Sequence, residues 1–358
     1  MMFALAWLVA CVVTVGATYC VRRYALRKGI VDAPGASRKV HTAPMPLLGG
    51  MGIALGIGIT VGAWLLFGGS MGEFSLTDVH VTLWHIAGVL GGIVALCIGG
   101  YLDDRHDLPP YLQILAPMIA AGLVVASGVG IVHVTNPFGG VIVFDSFRIG
   151  GFAPLAALTG WIWILVVMYT TKFLDGLDGL VSGVTSIGAL IVALLSIFFF
   201  VNYPTALLAA IVSGAFAGFL VWNTHPAKIF LGEGGSTMAG FLLGVLALIS
   251  GAKVATLVMV LGVPLLDAAW VIMRRILVAR KSPFQADRTH IHFRLLDAGF
   301  SQRQAVFFLY AVAFVFGMMA LFLQSIQKLY GIVFLVIFMV LLGVFLVGRR
   351  AEGAKKGS

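Results

Sequence analysis

The sequence predicts an all-α polytopic membrane protein of about eleven transmembrane helices, and three observations carry that prediction. Hydrophobic residues make up 60% of the 358 positions and charged ones only 10%, against roughly half and a quarter in a soluble domain. Apolar stretches recur at the length a bilayer demands, about 20 residues each. Finally, 20 of the 23 lysines and arginines fall in alternate connections or, for Lys172, directly at the edge of one, the asymmetry that sidedness in a membrane produces.

In chain order the apolar stretches are approximately 2–20, 47–67, 86–102, 111–129, 155–172, 180–201, 205–222, 237–250, 254–273, 305–323 and 329–347. The first has no basic segment ahead of it and Arg22, Arg23, Arg27 and Lys28 behind it, so it reads as a retained span rather than a signal peptide. Between the fourth and fifth, Val141–Phe144 and Phe147–Ile149 flank Asp145-Ser146 and predict a small external β-hairpin. One helix over 237–273 would run about 55 Å, so Ser250-Gly-Ala-Lys253 is expected to turn between two spans. After the ninth stretch, an amphipathic segment near Met273–Ala279, Pro283 and a helix restarting near Arg288 are expected. Residues 1–348 form a single integral-membrane domain and 349–358 a basic cytoplasmic tail. Cys11, Cys20 and Cys97 all lie inside apolar stretches, which leaves no disulfide framework.

Eleven spans place 22–46, 103–110, 173–179, 223–236, 274–304 and the tail on one side. Only Arg148, Lys253 and Lys328 fall on the other. The positive side is cytoplasmic, so the N-terminus is expected outside and the C-terminus inside. A positive rim of this kind accounts for the net charge of +9 without a nucleic-acid partner. No internal repeat is visible, which argues against transporter folds built from inverted repeats.

The chemistry-bearing segments lie on that cytoplasmic side. Of the chain's 14 acidic residues, 6 fall in three short loops, 103–107, 173–179 and 230–236. Carboxylates beside a bilayer are costly unless they bind something, and a divalent cation and phosphates are the natural candidates. Asp103, Asp104 and Asp107 precede Pro109-Pro110; they suit a metal or a phosphate proton, or else cap a helix end. Asp175 and Asp178 share one helix face if the segment is helical, although Asp178 could simply cap the next span. Leu231-Gly-Glu233-Gly-Gly-Ser236 precedes a helix and offers a backbone nest for phosphate, with Glu233 a candidate metal ligand. A plain interhelical loop is its bland alternative. In Asp287-Arg-Thr-His290-Ile-His292 the histidine spacing is not that of a helical zinc site, and Arg288, His290, His292 and Arg294 suit phosphate contacts. Asp267, inside the ninth stretch, is a functional candidate unless it merely pairs with a basic neighbour.

These segments together resemble the polyprenyl-phosphate N-acetylhexosamine-1-phosphate transferase family, glycosyltransferase family 4. The matching residues start at Asp32-Ala-Pro and Arg38-Lys-Val-His41, then the Pro44 to Gly49-Gly50 stretch. They continue through Asp103-Asp-Arg-His-Asp107, Phe173-Leu-Asp-Gly-Leu-Asp-Gly179, Phe230–Ser236, Pro264-Leu-Leu-Asp267 and Asp287–Leu296. The match runs in order over essentially the whole chain, and the family also has eleven spans. The Asp-Arg-x-His-x-His loop is similar to the GlcNAc-1-phosphate branch rather than the phospho-MurNAc-pentapeptide translocase branch, which stands as the alternative. Two departures are visible: the family usually has Asn where Lys172 stands and Asp where Glu233 stands.

The resemblance implies transfer of a sugar-1-phosphate, GlcNAc-1-phosphate foremost, from a UDP-N-acetylhexosamine to polyprenyl phosphate. UMP is released, and the lipid product starts cell-envelope glycans such as lipopolysaccharide or teichoic acid. It implies magnesium, with manganese as a substitute. It assigns Asp103, Asp104, Asp175 and Asp178 to catalysis, and His41, Lys172, Asp267, Arg288, His290 and His292 to substrate binding. The metal falls to Glu233, Asp175 and Asp104. A homodimer is a further assembly open to such a chain. The rival of another class is an ion-coupled transporter, whose coupling sites would lie nearer the bilayer midplane than these loops.

Overall fold

The computed structural model describes residues 1–32, 44–67, 81–136, 139–150, 152–250, 254–279 and 289–356. It is a helical assembly. In order come α1 (Met2–Lys28), a two-residue ladder of β1 (Val31–Asp32) with β2 (Met45–Pro46), α2 (Gly49–Phe67), α3 (Leu83–His106), α4 (Pro110–Gln113) and α5 (Leu115–Ala126). A hairpin of β3 (His133–Thr135) and β4 (Val141–Val143) leads into α6 (Pro154–Leu174), α7 (Leu180–Phe198), α8 (Tyr203–Asn223) and α9 (Gly232–Ile249). Then come α10 (Val254–Val260), α11 (Gly262–Arg274), a π turn over Arg275–Ala279, α12 (Ile291–Asp297), α13 (Gln302–Phe322) and α14 (Ser325–Lys356).

Among the described residues nine helices are long and apolar enough to cross a membrane, so this is a multi-pass membrane protein. The other two expected spans differ. Residues 110–126 form a shorter apolar helix, interrupted after Gln113 and launched by Pro109-Pro110. The stretch expected as one span over 254–273 is broken at Leu261, where the segments Val254–Val260 and Gly262–Leu277 meet at 82°. Pro264 explains the break locally, because it has no N–H to offer the carbonyl of Val260, four residues back. The turn expected at 250–253 lies outside the described residues beyond Ser250. The tail expected from 349 continues the helix α14 as far as Lys356.

The hairpin is present with a different turn. His133 pairs with Val143 and Thr135 with Val141, and Asn136 and Gly140 close the loop with an N–H to carbonyl bond of 3.1 Å. Gly139 and Gly140 carry it at φ 121° and 79°, a backbone that glycine adopts cheaply. Asp145-Ser146, expected as the tip, follows the second strand instead, with Asp145 held by Arg148 at 2.6 Å.

Burial ranks the helices. Both α8 and α9 are buried over 78% of their apolar stretches, α14 over only 17%. So α8 and α9 form the centre, and α14 faces lipid. Glycine lets the centre close. A Cβ on Gly50 would come within 2.5 Å of the Gly235 backbone, so α2 and α9 touch backbone to backbone, as small residues permit in membranes.

Candidate active site

The acidic segments meet where α3, α6 and α9 end or begin. The last residues of α3 are held by Asp107, whose left-handed φ of 50° turns its N–H onto the Asp103 carbonyl at 2.8 Å. The Asp103 carboxylate accepts from the Leu108 N–H at 3.1 Å. The Leu108 carbonyl accepts from Gln113 Nε2 at 2.8 Å. Gln113 Oε1 in turn accepts from Lys172 Nζ at 3.0 Å, and Lys172 Nζ also lies 2.6 Å from Glu233 Oε1. The Glu233 N–H donates to Asp104 Oδ1 at 3.0 Å. This circuit leaves α3 at Asp103 and returns to it at Asp104, fastening α3, α4, α6 and α9 together. Lysine only donates, so Gln113 must turn its oxygen to Lys172 and its amide N–H to Leu108, and both contacts agree.

Glycines shape the start of α9. Gly232 has φ 72°, and a Cβ there would press into the Asp104 carboxylate. The Gly49 and Gly50 N–H groups donate to the carbonyls of Phe230 and Leu231 at 3.0 and 2.8 Å, and the Phe230 N–H donates to the Pro46 carbonyl at 2.9 Å. The motif around Pro44 to Gly50 is thus a strut under the α8–α9 loop. The phosphate nest expected of 231–236 is not what these residues build. Gly234 and Gly235 are buried against neighbouring helices, and the Glu233 N–H already has a carboxylate of this chain.

Asp175 and Asp178 do not share a helix face, because α6 ends at Leu174 and 175–179 form a turn. Asp178 serves the next loop: its Oδ2 lies 2.7 Å from His225 Nδ1 and accepts from the Ala227 N–H at 3.1 Å. Capping of α7 is therefore not its task. Asn223 meets the Gly179 N–H at 3.1 Å and the Ser182 hydroxyl at 2.9 Å. Asp175 is different. The residue is exposed as a whole and has no hydrogen-bond partner among the described residues, yet protein surrounds its carboxyl closely. That crowding is the first cause pushing its carboxyl up to about 7, followed by the charges of Glu233, Asp104 and Asp178. Water still reaching the side chain relieves part of that penalty. Lys172, three residues before it, pairs with Glu233 and not with Asp175.

The histidine segment closes the site from the other side. Asp267 of α11 is 7% exposed; it meets His290 Nδ1 at 2.8 Å and the Ile291 N–H at 2.9 Å. His290 stacks on Phe173 at 5.8 Å and 20° and lies parallel to His292 at 5.8 Å. His292 packs under the turn that carries Asp175: a Cβ on Gly176 would collide with its ring. Among the described residues neither ring nitrogen of His292 has a hydrogen-bond partner, and the residue is 1% exposed. Burial, then the neighbouring His290, lowers its pKa to about 3, so it is neutral at physiological pH.

The structure thus gathers Asp103, Asp104, Lys172, Asp175, Asp178, Glu233, Asp267, His290 and His292 around one set of helix ends. His41 and Arg288 lie outside the described residues. Gln113, Asn223, His225 and Tyr310, whose hydroxyl donates to the Gly179 carbonyl, were not singled out from sequence. Asn223 and His225 had a faint signal, polar residues directly after an apolar span; Gln113 and Tyr310 had none.

Among the described residues no group of three or more acidic, histidine or cysteine side chains is arranged around one metal position. Magnesium does not need such a cage: it is held by one or two carboxylates, with substrate phosphates and water completing its shell. The hard oxygens of Asp175, without a hydrogen-bond partner among the described residues, fit that requirement, with Asp104 as a neighbouring carboxylate whose charge it feels.

Residues 86–251 match the model of glycosyl transferase family 4. The chain is 33% identical over 336 residues to a probable undecaprenyl-phosphate N-acetylglucosaminyl 1-phosphate transferase of Bacillus subtilis, covering 90% of this chain and 86% of that one. It is 32% identical to a decaprenyl-phosphate N-acetylglucosaminephosphotransferase of Mycolicibacterium smegmatis, over 86% and 78% of the two chains. To the undecaprenyl-phosphate alpha-N-acetylglucosaminyl 1-phosphate transferase of Escherichia coli K12 it is 27% identical, over 80% and 74%.

Proposed function

The chain belongs to glycosyl transferase family 4, and on that premise we propose that it moves GlcNAc-1-phosphate from UDP-GlcNAc to a polyprenyl phosphate. An oxygen of the lipid phosphate attacks the phosphorus that carries the sugar, and the bond from that phosphorus to UMP breaks. The products are polyprenyl-diphospho-GlcNAc and UMP. The observation that carries this reading is Asp175: an open, unpaired carboxylate flanked by three carboxylates and two fixed histidines.

A phosphate monoester is largely dianionic near neutral pH, its second pKa being about 6. The protein therefore has little proton chemistry to perform, and its work is positioning and neutralisation of charge. Asp175 and Asp104 would hold magnesium. When bound, it neutralises the donor diphosphate and polarises the attacked phosphorus. Asp267 fixes the His290 ring with Nδ1 toward itself, so Nε2 faces away from Asp267 to meet the donor's phosphate or sugar. Neutral, buried His292 supports the turn that carries Asp175. The basic rim supports a cytoplasmic site, the side on which UDP-sugars occur, and an orientation with the N-terminus outside.

The test is the purified full chain in detergent with UDP-GlcNAc and undecaprenyl phosphate. UMP release together with a lipid whose mass is that of the diphospho-GlcNAc product is expected. UMP release with UDP-GalNAc and none with UDP-GlcNAc would overturn the sugar. Undiminished turnover in excess EDTA would remove the metal.

A further inference from the structure

Four carboxylates crowd the centre, Asp103, Asp104, Asp175 and Glu233, and one ammonium is already seated among them. Lys172 Nζ lies 2.6 Å from Glu233 Oε1 and 3.0 Å from Gln113 Oε1. It cannot drift freely, because Gln113 is itself anchored on the Leu108 carbonyl at 2.8 Å. The ring of Tyr169 lies beneath it, 5.7 Å from Nζ. Both partners of the ion pair are shielded, with side chains 22% and 16% exposed.

A divalent cation on Glu233 would stand within a few ångströms of that ammonium. At such a separation in a half-buried site, two positive charges repel strongly. Opening the pair would also take from the lysine its charged acceptor and leave it the neutral Gln113 oxygen. Asp175 has no ammonium paired to it among the described residues, and the charges it feels are those of Glu233, Asp104 and Asp178.

We propose that the Lys172 ammonium is a resident cation of this centre: it is locked onto Glu233, withdraws that carboxylate from metal ligation, and leaves Asp175, with Asp104 beside it, to take the divalent ion. The first half stands on geometry alone. The second rests on the phosphotransferase reading for the presence of a metal. It departs from the sequence-based expectation that Glu233 is a metal ligand.

Two measurements on the full chain in detergent, without substrate, test it. In the first, Mn2+ uptake is followed by electron paramagnetic resonance. Asp175→Asn should weaken uptake at least tenfold, while Glu233→Gln should leave it within about twofold. Lys172→Met, which releases the Glu233 carboxylate, should tighten it severalfold. A tenfold loss in Glu233→Gln, or a loss in Lys172→Met, would overturn the assignment. The second is thermal unfolding of Lys172→Met, Glu233→Gln and the double variant. The locked pair predicts that each single variant lowers the melting temperature and the double falls no further than the worse single. Strictly additive losses would overturn the lock, whatever Mn2+ does. Wild-type protein that takes up no Mn2+ even with UMP added, but keeps the coupling, would strike the metal from the functional reading and leave Lys172 as the cation of the site.

Discussion

Two acidic turns meet in this site and use their carboxylates in opposite ways. In the last turn of α3, Asp103 and Asp104 are tied into the framework, Asp103 to the Leu108 N–H and Asp104 to the Glu233 N–H. In the turn after α6, Asp178 is tied to His225 and Ala227 while Asp175 is exposed and unbonded. The difference teaches that a cluster of acids is not a cluster of catalysts. Most of these carboxylates satisfy N–H groups that would otherwise be stranded at helix ends, and by doing so they hold one carboxylate open.

The sharpest way to break that contrast is Asp175→Asn. It should lower kcat/KM about a thousandfold, on the order of 4 kcal/mol of transition-state stabilisation, without unfolding the protein. The pH dependence has a definite sign. A carboxyl raised to about 7 in the fold is destabilising when ionised, so its penalty is absent below about 4, grows from there and is complete above 7. Asp175→Asn should therefore melt higher than wild type at pH 8 and level with it at pH 4. A lower melting temperature at pH 8 would show that Asp175 is a framework residue like the others.

Next in size is Asp104→Ala, which strands the Glu233 N–H at the start of α9. A lost cap of this kind costs about 1–2 kcal/mol, so both stability and turnover should fall. Turnover lost with an unchanged melting temperature would move Asp104 into the class of Asp175. For Asp178→Asn a loss of about 1 kcal/mol is expected, with KM and kcat both shifted modestly as the α8–α9 loop loosens. A loss of turnover as deep as that of Asp175→Asn would erase the contrast within the turn. On the histidine side, His292 is held near pKa 3, so it stabilises above about 6.5 and that stability drains away as pH falls toward 3. His292→Leu should flatten this acid limb of the melting curve. Arg148→Ala, at the far hairpin, removes an exposed ion pair and should change stability by less than about 0.5 kcal/mol.

Much of this was legible in the sequence for physical reasons. Apolar length fixes where helices cross, and acidic residues beside a bilayer are costly enough to mark a site. The break at Leu261 was not read, although Pro264 announces it, because composition alone makes 254–273 look continuous. The hairpin was found but its turn misplaced, since Asp145-Ser146 resembles a tip as much as Asn136 to Gly140 does. Within the site the residue types were readable and their partners were not. That Lys172 meets Glu233 rather than Asp175 depends on helices 61 positions apart, and no local spacing encodes it. Gln113 was invisible for the same reason: a lone glutamine after two prolines carries no chemistry until α4 brings it beside Lys172.

The bend at Leu261 has a consequence for how depth is counted. Two segments at 82° cannot both follow the bilayer normal, so at least one of them runs well away from it. The seven residues of α10 extend only about 10 Å, a third of the hydrocarbon thickness. Along this part of the chain, sequence position ceases to measure distance from the membrane surface. Asp267, numbered mid-span, is carried sideways across the fold like a bracket from a wall, and it delivers His290 to helix ends that arrive there from quite different parts of the chain.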